Sequence, residues 1–341
     1  MGAFVTAVHP GGSATRVSAP TRRGLPPTLR FILRRLAQAL FVLVAAFTAA
    51  FLLLQAMPGD AILIKFQSPE LGLSPEQIAD IRASYGADTP LAAQFLHTAL
   101  GFLGGDFGYS LQYGTPVAEL IAAAIPGTAQ LGLLGLLAAI ILALVLAAGA
   151  SLPRGAWVRG LVRSLPPLFI SLPVFWIGIV LIQVFSFQLG LVPVINPGPV
   201  QGLILPVLTL AIPIAAPLAQ ILIRSLDEVS ARPFVAVARA RGASEPRILV
   251  RQVTRNALPP ALTMMGVLLG ELIGGAVVTE TVFGRAGLGR LTEQAVSQQD
   301  TPVIQAVVLL SALVFVVVNL LIDLLYPILD PRLSPTRGVH A

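Results

Sequence analysis

The sequence predicts an all-α protein that crosses a membrane six times, and three observations carry this. Hydrophobic residues make up 55% of the 341 residues and charged ones 11%, where a soluble globular domain carries about a quarter charged residues. Six apolar runs recur along the chain, each near or above the ~20 residues a helix needs to cross the hydrocarbon core. The basic residues, all arginine except Lys65, cluster in segments that flank these runs.

The runs are roughly 31–57, 128–150, 165–189, 203–223, 261–282 and 303–325. Pro166, Pro167 and Pro173 interrupt the third, and Pro206, Pro213 and Pro217 the fourth. Such breaks are tolerated where neighbouring helices or a water-lined cavity satisfy the freed carbonyls. Arginine sets the orientation. Six lie before or at the very start of the first run (Arg16, Arg22, Arg23, Arg30, Arg34, Arg35), three follow the second (Arg154, Arg159, Arg163), seven lie from Arg224 to Arg255, and two are in the tail (Arg332, Arg337). The opposite segments hold only Lys65, Arg82, Arg285 and Arg290. The positive-inside rule then places both termini in the cytoplasm. This placement accounts for the net charge of +6 as topology, and no nucleic-acid partner is expected.

Residues 1–30, rich in Gly, Pro, Ser and Arg, are expected to form a disordered cytoplasmic extension. The first run is too long for a signal-peptide core and has no small-residue cleavage site after it, so it reads as a retained anchor. The membrane domain is 31–326 and the cytoplasmic tail 327–341. With no cysteine there is no disulfide framework or thiol nucleophile. His9, His97 and His340 are scattered and form no metal-ligand cluster. No P-loop or nucleophile elbow is present. The chain by itself is therefore expected to be neither an ATPase nor any other enzyme, and to bind no cofactor.

The loop 58–126 is the one substantial polar region on the acidic side. Within it, Ser74, Pro75 and Gln77 fit the N-cap, first position and third position of a capped helix, and Gly105-Asp-Phe-Gly-Tyr-Ser110 reads as a glycine-punctuated turn. On the opposite side, the loop 224–260 reads as helix, glycine stop, helix. Ser230 is expected to cap the first helix, with Pro233 in its first turn. Phe234, Val237, Ala238 and Arg241 share a face at i, i+3, i+4, i+7 spacing, and Gly242 supplies the left-handed stop. Ser244 caps the second helix, on which Arg247, Arg251 and Arg255 recur every four residues. That basic stripe can meet anionic lipid, acidic groups on a partner, or simply mark topology. A small-residue face beside arginines suits docking into a groove on a soluble partner.

Ionisable residues in spans are functional candidates, because burying a charge in hydrocarbon is costly. Glu271 lies within the fifth run amid Gly266, Gly270, Gly274 and Gly275, and reads either as a pathway or gate residue or as a hydrogen-bonded anchor between helices. Glu280 lies near the end of that run, and Asp323 late in the sixth, where it can meet Arg332. Trp157 and Trp176 read as lipid or interface residues.

Five ordered segments resemble one family. Ala238-Arg-Ala-Arg-Gly242 followed by Arg255-Asn-Ala-Leu258 and a proline is similar to the EAA coupling loop of bacterial ABC importer permeases, most closely the dipeptide, oligopeptide and nickel branch. Met57-Pro-Gly-Asp60, Gly105-Asp-Phe-Gly108 with Ser110, Thr279-Glu-Thr-Val-Phe283 with Gly287-Leu-Gly289, and Asn319 to Arg332 also resemble that family's segments. Ala236 stands where the broad motif has Glu, and Ala286 where the family usually has Pro. The resemblance implies a MetI-like permease fold and an inner-membrane subunit that imports small peptides from an extracytoplasmic binding protein. It also implies a heterodimer with a second homologous permease and two ATP-binding subunits that hold ATP and Mg. Nickel complexes or glutathione-like solutes are the alternative cargo, and a secondary transporter is the alternative class. The implied ATPase-coupling residues are Phe234, Val235, Val237, Ala238, Arg239, Arg241, Gly242 and Arg255. The pathway or gate candidates are Glu271, Glu280 and Phe283. The loop 58–126 then either packs over the end of the bundle or helps dock the binding protein.

Overall fold

A computed structural model describes residues 27–55, 74–77, 89–152 and 155–329 of the chain. The Met57–Asp60 segment, the residues on either side of Ser74–Gln77, most of the N-terminal extension and residues 330–341 lie outside it. The described residues are helical throughout apart from turns and one isolated bridge between Tyr109 and Pro116. Helix α1 (Pro27–Gln55) starts at Pro27, so the last residues assigned to the extension are already helical. The expected cap at Ser74 is formed: the Gln77 backbone N–H donates to Ser74 Oγ (3.2 Å) and the Ser74 N–H to Gln77 Oε1 (2.8 Å). Helix α2 (Leu91–Gly104) was not legible as a helix within its loop. It is held to α1 by Phe95, whose ring meets those of Phe47 and Phe51 edge-on at 5.3 Å.

Helix α3 (Val117–Ser151) and helix α6 (Gln201–Ser230) form the centre and pack against each other along their length. Their contact is built from Ala139, Ala143, Ala147, Ala211, Ala215 and Ala219. In lipid, small residues are what let helices approach closely enough for dispersion to hold them together. Leu210, fully buried, is the knob of this packing. A Cβ added at Gly135 of α3 would come within 2.7 Å of its side chain, and one at Gly275 within 2.8 Å, so Leu210 occupies the space that both glycines leave empty.

The prolines behave differently from the expectation that they interrupt both the third and the fourth run. Helix α6 passes through Pro206, Pro213 and Pro217 without a break. Pro206 has no N–H to give the Gly202 carbonyl, and that oxygen accepts instead from Arg285 Nη1 at 2.9 Å. The third run, by contrast, is not one straight span. Helix α4 (Ala156–Ile170) tolerates Pro166 and Pro167, then the chain bends by 114° before α5 (Val174–Leu181), which continues as a wider π turn through Gln188. The bend falls at Ser171–Pro173. There the Ser171 N–H and hydroxyl both turn back onto the Leu168 carbonyl, and Pro173 cannot continue the ladder. Arg163 of α4 bonds Asp227 of α6 at 2.8 Å, fixing α4 beside the arginine-rich end of the bundle.

The chain continues with α7 (Pro233–Ala240), α8 (Glu245–Ile248) and a π turn over Leu249–Val253. It ends with α9 (Thr254–Val282), α10 (Leu288–Ser297) and α11 (Thr301–Leu329), which packs along α1. Five described helices are long and apolar enough to cross a membrane, and the bent pair α4–α5 makes the sixth when taken as one span.

Leu210→Ala removes a knob flanked by two glycines that cannot fill the space, so a cost of about 2–5 kcal/mol is expected. Leu133→Ala, at a side chain 61% exposed, should be close to neutral. Thermal unfolding of the two purified variants in nanodiscs checks this: a clear drop in Tm for the first alone.

Candidate functional site

The helix–glycine–helix at the arginine-rich end is a closed unit. Arg232, not Ser230, takes the N-cap position of α7, because α6 runs on through Ser230 and Pro233 itself removes one orphan donor. At the other end Gly242 adopts φ +80°. Its N–H donates to the Arg239 carbonyl (2.9 Å) and the Ala243 N–H to the Ala238 carbonyl (3.2 Å), the paired bonds of a Schellman stop. Ser244 occupies the N-cap of α8 without a side-chain cap bond.

Across the stop, Arg239 grips Glu245 with two parallel bonds, Nε to Oε1 at 2.6 Å and Nη2 to Oε2 at 3.1 Å. The sequence reading missed this clasp, although an acid placed after a glycine stop on the next helix's first turn was the available signal. The hydrogen bond from Arg239 holds the Glu245 carboxyl below its ordinary range, and Glu245 in turn raises the Arg239 guanidinium. A depressed carboxylate contributes its stability above its unfolded pKa and loses it as the pH falls through the folded value. The clasp is therefore complete at neutral pH. Both groups are exposed to water, so its part is to set the angle between two helices more than to add stability.

The coupling candidates divide into two sets. Val235 (1% exposed) and Ala238 are buried with Ile248 and Val253, and tie the unit to the bundle. Phe234 (39% exposed), Val237 (51% exposed), Arg241 and Gly242 face outward. The four-residue face expected at i, i+3, i+4, i+7 is thus narrower: Ala238, at its edge, turns inward beside Val235. Arg247, Arg251 and Arg255 are exposed. They do not form one straight stripe, however, because the π turn has more residues per turn than an α-helix and shifts the register between them. Thr254 fills that turn, its hydroxyl donating to the Leu249 carbonyl at 2.8 Å. Through it α8 and α9 form one continuous helix, Glu245–Val282, of 38 residues.

The pathway candidates also separate. Glu280, expected on a pathway, is buried (1% exposed) and fully engaged. Oε1 accepts from Thr128 Oγ1 at 2.6 Å, and Oε2 accepts from the backbone N–H groups of Gly289 (2.7 Å) and Arg290 (3.3 Å). Thr128 Oγ1 accepts in turn from the Leu288 N–H at 2.7 Å. A carboxylate at the N-terminus of α10 satisfies orphan donors and complements the helix dipole. The glycines around it are required by space. A Cβ at Gly287 would lie 2.3 Å from the Glu280 carboxylate, one at Gly289 2.4 Å from the Val277 backbone, and one at Gly127 2.2 Å from the Ala286 carbonyl. Phe283 is half-buried, its ring beside Gly178 of α5, and is packing too.

A second buried carboxylate, Asp300, was not singled out in the sequence, although Asp-Thr-Pro ahead of an apolar run is a helix-start pattern. It binds the Ser110 hydroxyl and accepts from the backbone N–H groups of Leu111 (3.1 Å) and Gln112 (3.2 Å). The Gly105–Ser110 turn is thereby pinned to the joint between α10 and α11.

Glu271 differs from both acids. It is exposed and makes no hydrogen bond or ion pair with any described residue, so it is not an anchor between helices of this chain. It belongs to an uncovered face of α9 formed by Asn256, Pro260, Thr263, Val267, Glu271 and Gly274, at steps of three or four residues. The other side of α9, with Ala257, Ala261, Leu268 and Ala276, is buried in the bundle.

The described residues form an all-helical bundle with membrane-spanning lengths, an exposed helix–glycine–helix at one end and pinned polar turns at the other. The comparisons agree on which kind of bundle this is. Residues 133–335 match the family described as binding-protein-dependent transport system inner membrane component, and residues 28–132 its N-terminal region. The chain belongs to this family: it is a permease subunit of an ABC importer, the non-catalytic component that works with ATPase subunits and a binding protein. The glutathione transport system permease protein GsiC of Salmonella typhimurium is 36% identical over 292 residues, covering 86% of this chain and 94% of the relative. GsiC of Escherichia coli strain K12 gives the same figures. Among solved structures, an inward-facing MetNI methionine ABC transporter chain superposes with a TM-score of 0.53 at 17% identity, over 62% of this chain and 96% of that one. That likeness shows the shared fold.

Glu280→Gln replaces an oxygen that accepts at the head of α10 with a group that cannot, or turns the amide nitrogen on Thr128. Either way a buried bond is lost, at about 1–3 kcal/mol. Differential scanning of the purified variant should show a lowered Tm, and Gly127→Ala, which meets backbone instead of a side-chain tip, should lower it further. An unchanged Tm in both would refute the anchoring role.

Proposed function

We propose that this chain is one half of a heterodimeric pathway, paired with a second homologous permease subunit and driven by two ATPase subunits that hold ATP and Mg, with no cofactor of its own. Both termini face the cytoplasm, and the cargo is small peptides, including glutathione-like tripeptides, delivered by an extracytoplasmic binding protein. The inner-membrane family and the arginine distribution support the orientation. The GsiC relatives, named for glutathione transport, support the cargo class.

The observation that carries the proposal is the outward pair Phe234 and Val237 on a Schellman-closed helix whose successor is continuous with α9. The pair is the plug for a groove on the ATPase. The continuous helix, about 57 Å long at ~1.5 Å per residue, carries movement of the docked unit to the pathway face on which Glu271 sits. Under this reading Glu280 and Phe283 hold the far end of α9 in place and contribute to the pathway through its position.

Two experiments test the proposal. At Gly242 an added Cβ meets nothing within 4 Å, so Gly242→Val perturbs only the backbone, by about 1–2 kcal/mol for a β-branched residue at positive φ. Normal membrane insertion with lost uptake and weakened ATPase co-purification is expected; full uptake would mean that this loop is not the coupling element. Arg255→Lys keeps the charge and loses the planar fork. Weaker ATPase association with intact topology is expected if Arg255 meets acidic groups bordering the groove, whereas silence would leave the arginines to lipid and topology.

A further inference from the structure

We propose that Glu271 is the mid-membrane contact for an ammonium group on the transported solute, an inference that rests on α9 lining the pathway. Of the described acids, Glu280 and Glu271 share α9, and Asp300 stands at the start of α11. Glu280 and Asp300 are buried, and each is wrapped in donors from this chain. Glu271 stands near the middle of the 29-residue α9, exposed and without a partner among the described residues. A carboxylate facing lipid at that depth is strongly disfavoured. The same face carries Asn256, Thr263 and Gly274 beside the apolar Pro260 and Val267; Asn256 and Thr263 bond to carbonyls of their own helix, so Glu271 is the group on it whose charge calls for water or a polar neighbour.

The space beside the carboxylate is open on one side and walled on the other. One turn further along the face, a Cβ at Gly274 would meet nothing within 4 Å. On the flank, Gly270 approaches the Phe315 ring so closely that an added Cβ would be 3.0 Å from it. A bare glycine beside a carboxylate, backed by an aromatic edge, leaves room for a small group and offers it one charge. The basic residue on the same helix, Arg255, lies about 24 Å away along the axis at ~1.5 Å per residue, too far to neutralise Glu271. No described residue supplies the counter-charge, which leaves that place to a group from outside the described chain. A solute that presents an ammonium group, as every peptide with a free amino terminus does, supplies it only while in transit. Such a contact favours entry without holding the cargo. The surrounding low dielectric strengthens it, and the absence of a fixed cation keeps it reversible.

The test uses the complete transporter, reconstituted in liposomes with its partner permease, ATPases and binding protein, the other subunits being freed of cysteine. This chain has none, so single cysteines at Val267 and Gly274 report on the face directly. Both should react with water-soluble methanethiosulfonates, and the trimethylammonium reagent should outpace the sulfonate reagent. That preference should collapse when Glu271→Gln is added. Uptake of radiolabelled glutathione by Glu271→Gln should fall roughly tenfold, the loss expected for one charge-assisted hydrogen bond, and Glu271→Asp should recover part of it. Parental uptake in Glu271→Gln with both cysteines still reactive would overturn the ammonium contact and leave the pathway reading standing. If neither cysteine reacts, the pathway reading fails and this inference with it. If Glu271→Gln separates the two permease subunits during purification, the carboxylate pairs with the partner and the proposal is wrong.

Discussion

The buried carboxylate of Glu280 is the constraint around which the far end of the bundle is arranged. An acid this deep is tolerable only when donors fill its oxygens, and they come from α3 through Thr128 and from the start of α10 through Gly289 and Arg290. That requirement brings three backbones closer than side chains allow, which explains the glycines at 127, 287 and 289. The Gly-Leu-Gly segment is therefore the geometric complement of Glu280. Ala286, where the family usually has proline, is compatible with this because what the knot uses of it is its backbone carbonyl beside Gly127.

Glu280 also fixes one end of a long lever. The helix that carries it begins at Glu245, so the same rod joins the exposed helix–glycine–helix to the buried knot. Under the proposed coupling role, a held knot would turn a displacement of α7 and α8 into tilt or rotation of α9 in place of sliding. The π turn at Leu249–Val253 is the point along the rod where the ladder is widened, and a threonine hydroxyl occupies it. Wider turns of this kind recur at functional sites because they re-aim one face relative to the next. Here the faces are that of Arg247 on α8 and the uncovered side of α9.

Much of this was legible in the sequence because the membrane restricts the possibilities. Apolar length gave the spans, arginine their common side, and Gly242 with Ser74 and Gln77 the local stops and starts, each resting on short-range chemistry. What escaped was long-range or conditional. Asp300 and Ser110 meet across 190 positions, and nothing in either local sequence announces the other. The fate of a proline depends on whether a neighbour can take up the freed carbonyl: Arg285 does so for Pro206, whereas the chain at Pro173 bends instead. Glu271 and Glu280 lie nine residues apart on one helix and read alike in sequence. Nine residues are about two and a half turns, so the two acids face opposite ways, and the alanine-lined side of α9 that packs on α6 is the one that carries Glu280.

That difference between two acids on one helix also argues that the chain is incomplete alone. A charge facing hydrocarbon without compensation is costly; both buried carboxylates described, Glu280 and Asp300, are filled by donors of this chain, whereas the exposed Glu271 is not. The uncovered face of α9 carries Glu271, Asn256, Thr263 and Gly274 together with the apolar Pro260 and Val267, opposite an alanine-rich buried side. In the proposed heterodimer this is the face of α9 left to stand across from the partner permease, with Glu271 as the one side chain on it whose charge this chain does not compensate.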